Sequence, residues 1–317
     1  MNRLEVHSHT HYSNIRLLDC INKPKDLINK AKEIGLKGIC VTDHECLSSA
    51  VELNELQQEL IKQESDFKIG LGNEIYLCDT REPKQKYYHF ILIAKNEVGH
   101  KQLRKLSSRA WMYSFEDRRM ERVVTLKSDL YEIIGSNKGN VIATTACIGG
   151  ELSTLILEME IARANNNVAE SEIAKEKIIN FVLEMKEIFG DDFYFEVAPA
   201  ASKEQIIVNK KMAELSTAFG VKIVIGSDAH YLSPEDRYVH EAFLNSKGGE
   251  RETAQFYEYA YLQTEEEIIK NLTPSIVDLY EQMCQNSMEI YDKIENYSLL
   301  HAQQIPKVDV EDYPKHK

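Results

Sequence analysis

Short, continuously apolar runs recur along this chain, and most of them stop on a histidine, a carboxylate or a cysteine. Gly38-Ile39-Cys40-Val41-Thr42 runs into Asp43-His44, and Val141-Ile142-Ala143-Thr144 leads to Cys147. Phe193-Tyr194-Phe195 meets Glu196, and Lys222-Ile223-Val224-Ile225-Gly226 precedes Ser227-Asp228-Ala229-His230. Runs of this length without polar alternation read as strands covered on both faces, as in parallel sheets. Further strands are expected at the segment around Val6, over 68–78 with Glu74 inside it, and over 87–94 around His89.

Helical patterns fill the gaps between these runs. Over 24–34 the residues Leu27, Ile28, Ala31 and Ile34 form an apolar stripe, Pro24 suits the first turn and Gly35 the stop. Others are predicted over 47–63, 97–126, 151–164, 170–189, 203–219, 234–245 and 274–294. Strand and helix therefore alternate about seven times, which argues for a parallel, closed barrel with its helices outside. Periodicity alone does not separate a barrel from an open doubly wound sheet. The polar residues at the strand C-termini favour the barrel, whose chemistry sits at that end.

The 317 residues suffice for one large α/β domain or two small ones, and 43% hydrophobic with 28% charged residues suits a soluble enzyme. No apolar run approaches the roughly 18 residues of a bilayer span. The first five residues lack a signal peptide's apolar region, so a cytoplasmic protein without membrane attachment is expected. Six cysteines without a Cys-x-x-Cys pair suggest neither a disulfide framework nor a zinc ribbon. A formal charge of −13 argues against a protein that coats DNA nonspecifically. It does not exclude an enzyme that meets phosphate through bound cations. Trp111 and Tyr113, set amid arginines, read as part of a solvated basic face rather than a grip on DNA.

His7, His9 and His11 are spaced two apart and share a face if the segment is extended. Imidazoles buried side by side leave ring nitrogens unsatisfied, and a metal ion resolves that. The polar residues at the strand ends are His7, His9, Asp19, His44, Glu74, His89, Cys147, Asp228 and His230, the donor types of zinc and related divalent ions. No nucleophile-elbow spacing and no Gly-rich phosphate loop compete with this reading. The chemistry expected is metal-dependent hydrolysis.

These residues fall in an ordered series: His7-Ser8-His9-Thr10-His11-Tyr12-Ser13, Leu17-Leu18-Asp19, Val41-Thr42-Asp43-His44, Gly72-Asn73-Glu74, Tyr88-His89-Phe90, Ala146-Cys147-Ile148-Gly149-Gly150 and Ser227-Asp228-Ala229-His230. In that series the chain resembles the PHP (polymerase and histidinol phosphatase) domain at the N-terminus of the alpha subunit of bacterial DNA polymerase III. The resemblance covers nearly the whole sequence. It implies an α/β fold, a distorted (β/α)7 TIM-like barrel with a helical C-terminal extension, holding three divalent metal ions (zinc, manganese or iron). His7, His9 and Asp228 would hold the first, and Glu74 would bridge it to the second, completed by His89 and Cys147. Asp19, His44 and His230 would hold the third, while His11 falls outside the set. Glu74, Asp228 and His9 would stand closest to the reaction.

The implied activity is that of a metal-dependent phosphoesterase, a 3′→5′ exonuclease acting on DNA in replication. A small-molecule phosphate monoesterase and a non-catalytic, metal-stabilised module that docks on a DNA polymerase are the alternatives. The expected partners are thus DNA or another phosphate ester and a separately encoded polymerase or other replisome component. Arg16, Lys84 and Lys86 are candidate extra phosphate contacts, with solvated surface charge the commoner role for such residues. Two features depart from the family pattern. Asn14-Ile15-Arg16 lengthens the loop before Asp19, and the resemblance stops where a polymerase would begin, so this chain is not expected to polymerise DNA by itself. The expected division is a barrel over 1–245, a helical extension over 246–300 and a linker-like tail over 301–317.

Overall fold

A computed structural model describes residues 2–117, 120–246, 256–303 and 305. The expected tail therefore lies outside the described residues beyond 305, as does the segment 247–255. Among the described residues no helix is long and apolar enough to cross a membrane.

Seven strands form the barrel wall: β1 (Leu4–Ser8), β2 (Gly38–Val41), β3 (Lys68–Cys78), β4 (Tyr88–Ala94), β8 (Val141–Thr144), β9 (Phe193–Val197) and β10 (Lys222–Ile225), neighbours in that order. Three short strands, β5 (Phe115–Asp117), β6 (Met120–Arg122) and β7 (Thr125–Leu126), lie off this path. The helices are α1 (Pro24–Glu33), α2 (Ala50–Lys62), α3 (Glu97–Met112), α4 (Lys127–Leu130), α5 (Glu151–Ala164), α6 (Val168–Phe189), α7 (Lys203–Phe219), α8 (Arg237–Asn245), α9 (Glu265–Asn271) and α10 (Tyr280–Lys293). As the pattern predicts, α1 starts on Pro24, and Gly220 ends α7 in the left-handed conformation at φ 63°.

The strands are not all parallel. β4 runs antiparallel to both β3 and β8, while β1/β2, β2/β3, β8/β9 and β9/β10 are parallel. Only residues 79–87 join β3 to β4, too short for the crossover of a dozen or more residues that a parallel pair needs. The second departure concerns 97–126, where α3 ends at Met112 and the chain returns to extended structure through β5, β6 and β7. There Val123 and Val124 are buried, and Thr125 pairs with Leu77 of β3.

Alternate strand residues separate two cores, following the period of two. Leu4, Val6, Cys40, Ile91, Ile93, Ile142, Tyr194 and Val224 fill the barrel, with Ile290 and Ile294 at its floor. Their neighbours Phe90, Leu92, Ala143, Phe193, Phe195 and Ile225 face outward into the helices. The C-terminal helix thus seals the N-terminal end of the strands, and the opposite end is left for polar residues.

His100 lies outside that end. His100 of α3 is buried with no hydrogen-bond partner at Nδ1, and burial aided by the Arg104 charge lowers its pKa to about 4. In the folded protein it stays neutral down to that pH, whereas in the unfolded chain it takes up a proton below its ordinary value near 6.5. Stability contributed by the neutral ring is therefore complete above pH 6.5 and is lost toward pH 4, by roughly 3 kcal/mol. Urea unfolding between pH 4.5 and 7 should show a flatter pH dependence in His100→Leu than in the native protein; identical slopes would contradict this.

Candidate metal centre

All nine predicted residues converge at the C-terminal end of the barrel, except that β4 brings His89 in from its opposite end because it runs antiparallel. β1 presents His7, and His9 follows directly after it, the register of β1 to β2 slipping between Glu5 and Ser8. Their Nε2 atoms lie 3.1 Å apart. Glu74 Oε2 lies 3.3 Å from His7 Nε2 and 3.0 Å from His9 Nε2, and Asp228 Oδ1 is 3.2 Å from each. On the other side of Glu74, Oε1 meets His89 Nδ1 at 2.5 Å, and Cys147 Sγ lies 3.4 Å from the same nitrogen. His9, His44 and His230 form a third group. Asp19 stands beside it, with Oδ2 at 3.3 Å from His44 Nε2 and 3.8 Å from His230 Nε2, so the longer loop still delivers that carboxylate.

Hydrogen bonds fix which ring nitrogen faces inward. His7 Nδ1 donates to Glu196 Oε1 at 2.6 Å, leaving Nε2 to the centre. Thr144 Oγ1 donates to the other Glu196 oxygen. Gly226 makes room for this carboxylate, since a Cβ there would sit 2.1 Å from Oε1. Ser13 Oγ donates to Asp43 and so accepts from His9 Nδ1 at 3.1 Å. His230 Nδ1 donates to the Asp228 carbonyl at 2.7 Å. Such outer contacts set tautomer and orientation in metal sites.

The backbone is held under strain at the same place. Glu45, Ala146 and Asp228 have φ of 53°, 58° and 48°, left-handed values that cost roughly 1–3 kcal/mol at non-glycine residues and persist where surroundings over-determine them.

The charges conflict as they stand. Burial opposes charge on every group, yet Asp228, Glu196 and Glu74 together raise His7 well above its usual pKa. Against the same burial, Glu74 and Asp19 raise His44. Glu74 is itself held well below the carboxylate range by His89, His44 and His7, again against burial. Burial lowers His230 to about 4 and pushes the Cys147 thiol up. Asp19 Oδ1, His44 Nδ1, Glu74 Oε1, Asp228 Oδ1 and His230 Nε2 are buried without an aligned hydrogen bond, although donors and acceptors crowd around them. Lone pairs aimed at shared points, with imidazole, carboxylate and thiol donors, are the arrangement that divalent cations satisfy. The residues present fit such ions.

His11 lies apart, half-turned to solvent with Nδ1 3.3 Å from the Asn22 carbonyl. The candidate phosphate contacts are engaged elsewhere: Arg16 pairs with Glu45 and donates to the Glu121 carbonyl at 2.7 Å, and Lys86 pairs with Glu158. Lys84 donates its backbone N–H to Asp117 at 3.2 Å. Several residues of the site escaped the sequence reading. Asp43, which gathers Thr10, Ser13 and Ser49, was signalled by its place directly before His44. His240, donating through Nε2 to the Asp19 carbonyl at 2.5 Å, and Tyr257, whose hydroxyl lies 3.4 Å from Asp19 Oδ2, carried no local signal.

The sequence matches the PHP domain family over residues 5–200. It is 39% identical to the probable DNA polymerase YorL of Bacillus subtilis, over 97% of this chain and 24% of that protein. It is 29% identical to the DNA polymerase III subunit alpha of Borreliella burgdorferi, over 92% of this chain and 23% of that protein. The chain thus spans about a quarter of the length of these relatives. Among solved structures, an amidohydrolase from Chromobacterium violaceum aligns with a TM-score of 0.41 and 13% identity, covering 72% of this chain and 87% of that one.

If Glu196 acts through His7, Glu196→Gln weakens divalent-ion binding by about tenfold or more, while His11→Ala leaves it unchanged. Equilibrium dialysis with zinc or manganese measures both, and equal affinity in Glu196→Gln would remove Glu196 from this role.

Proposed function

Because the chain belongs to the PHP domain family, we propose that it is a metal-dependent phosphoesterase with a trinuclear centre, acting as a 3′→5′ exonuclease on DNA. The convergence of nine donor side chains, five of them with a buried atom lacking an aligned partner, carries the reading. His7, His9 and Asp228 would hold one ion, Glu74 together with His89 and Cys147 would hold a second, and Asp19, His44 and His230 would hold a third. Zinc, manganese and iron all suit this mixed donor set. Ions bound there supply Lewis acidity for attack by water on phosphorus.

The residues of the chain supply orientation and access. Glu196 and Ser13 lock the rings of His7 and His9, so their donors need no rearrangement on binding. Glu74 is buried at the centre, whereas His89 is partly exposed and leaves that side open to substrate. A cavity of about 220 Å³ adjoins the centre, sharing Cys147 and Asp228 and walled by Ile148, Pro199 and Tyr259. It has room for the organic part of one ester, which also suits a small phosphate monoester as substrate. Relatives named as DNA polymerases favour DNA and an association with a polymerase, whether separately encoded or part of a longer chain. The division into a barrel over 1–245, a helical extension over 246–300 and a tail over 301–317 belongs to the same proposal.

With zinc or manganese present, the protein is expected to shorten 5′-labelled single-stranded or primed DNA from its 3′ end. His9→Ala and Asp228→Ala should retain the fold by circular dichroism and lose at least about 100-fold in rate, as expected when a metal donor central to electrostatic stabilisation is removed. Release of phosphate from monoesters without DNA cleavage would select the monoesterase instead. No turnover of either substrate by metal-loaded protein, together with melting on chelation, would select a docking module.

A further inference from the structure

The proposed ligands lie on both sides of the one place where the barrel wall is not laddered. His7 belongs to the first strand and His9 directly follows it, while Asp228 and His230 follow the last. Among the described residues the backbone joins β1 to the segment after β10 by a single bridge, Ser8 to Ala229. It brings a 3.0 Å bond from His9 N to the Ala229 carbonyl and a 3.4 Å bond from Ala229 N to the His7 carbonyl.

Side chains close the rest of the seam. The fully buried Glu5 carboxylate accepts from His7 N at 3.0 Å, Ser227 N at 2.9 Å, Ser227 Oγ at 2.6 Å and Arg3 Nη1 at 2.8 Å. The same Arg3 nitrogen reaches the Ile225 carbonyl of β10 at 3.4 Å. A buried ion pair is a poor source of stability, since an apolar pair of similar volume often does as well or better. What an apolar pair cannot do is accept amides from both edges of the seam at once. Two of those donors belong to His7 itself and to Ser227, the residue preceding Asp228. Asp228 has the left-handed φ of 48°, and a strained residue keeps its conformation only if its neighbours hold it. Glu5 holds it on the N-terminal side, and the His230 ring holds its carbonyl on the other.

We propose that Glu5, clamped by Arg3, is a positioning residue that fixes the separation of the His7/His9 pair from Asp228 and His230 across the open seam of the barrel. The proposal rests on the reading of those four residues as metal ligands, and it assigns Glu5 no contact with metal or substrate.

Glu5→Gln keeps the volume but turns an NH2 group toward donors, so at least one edge of the seam loses its acceptor. In metal-free protein, amide hydrogen exchange at residues 7–9 and 227–230 is expected to speed up about tenfold, with α2 and α5 unchanged, as for the loss of one net hydrogen bond. Affinity for zinc, read by competition with a chromophoric chelator, is expected to fall roughly 10- to 100-fold. Ser227→Ala, which removes only the hydroxyl bond, gives smaller changes of the same kind and decides the matter if Glu5→Gln does not fold. Unchanged exchange at the seam, or faster exchange spread evenly over the barrel, overturns the proposal, as does wild-type zinc affinity in both folded variants. If the native protein takes up no divalent ion, the metal reading fails, while seam exchange still decides whether Glu5 positions these residues.

Discussion

The Glu74 carboxylate is the constraint on which the rest of the site depends. It is fully buried, with a nitrogen of His7, His9, His44 or His89 within 3.3 Å of one oxygen or the other. A lone buried carboxylate would be costly, and so would four neutral rings packed without partners. Each makes the other tolerable only if positive charge enters, as protons on the rings or as cations between them. The raised pKa of His7 and His44 and the lowered one of Glu74 express that demand. Cations meet it without requiring protons on the donor nitrogens.

The scaffold serves this cluster by dividing its labour between the two ends of the barrel. Leu4, Val6, Ile91, Ile93 and Val224 pack over Ile290 and Ile294 at the floor. That packing fills the interior below the level of the converging polar side chains. Above it, hydrogen-bonded carboxylates hold the donors: Glu196 on His7, and Asp43 on Ser13 and through it His9. The strain at Glu45 and Ala146 lies one residue from His44 and Cys147, and that at Asp228 falls on a member of the cluster itself.

β4 shows how topology can change without cost to the site. As an antiparallel strand it carries His89 in from the opposite direction, yet the ring still meets Glu74 and Cys147. His89 lies near the start of its strand, whereas His7 lies near the end of β1, His44, Cys147 and Asp228 lie past the ends of theirs, and Glu74 lies inside the long β3. Reversing the strand therefore puts the start of β4 where the others finish. A reading that assumed uniformly parallel strands gave β4 the wrong direction.

The order of strands and helices, the donor types and the membership of all nine converging residues were legible because they rest on short-range patterns. Apolar runs, period-two spacing and His-x-His or Asp-x-His pairs survive in the linear chain. His11 shows the limit of spacing, since it shares the period of His7 and His9 but leaves the centre once the chain turns at the 3-10 segment His11–Ile15. The direction of β4, the end of α3 at Met112, the use of His240 and Tyr257 beside Asp19, and the closure of the seam by Arg3 and Glu5 were settled only in three dimensions. The Glu5–Ser227 bond joins residues 222 positions apart, and no local pattern encodes a partner at that distance. By itself the sequence determined which atoms are available to a cation; the tertiary structure decided which of them face one another, because that depends on how the first and last strands meet.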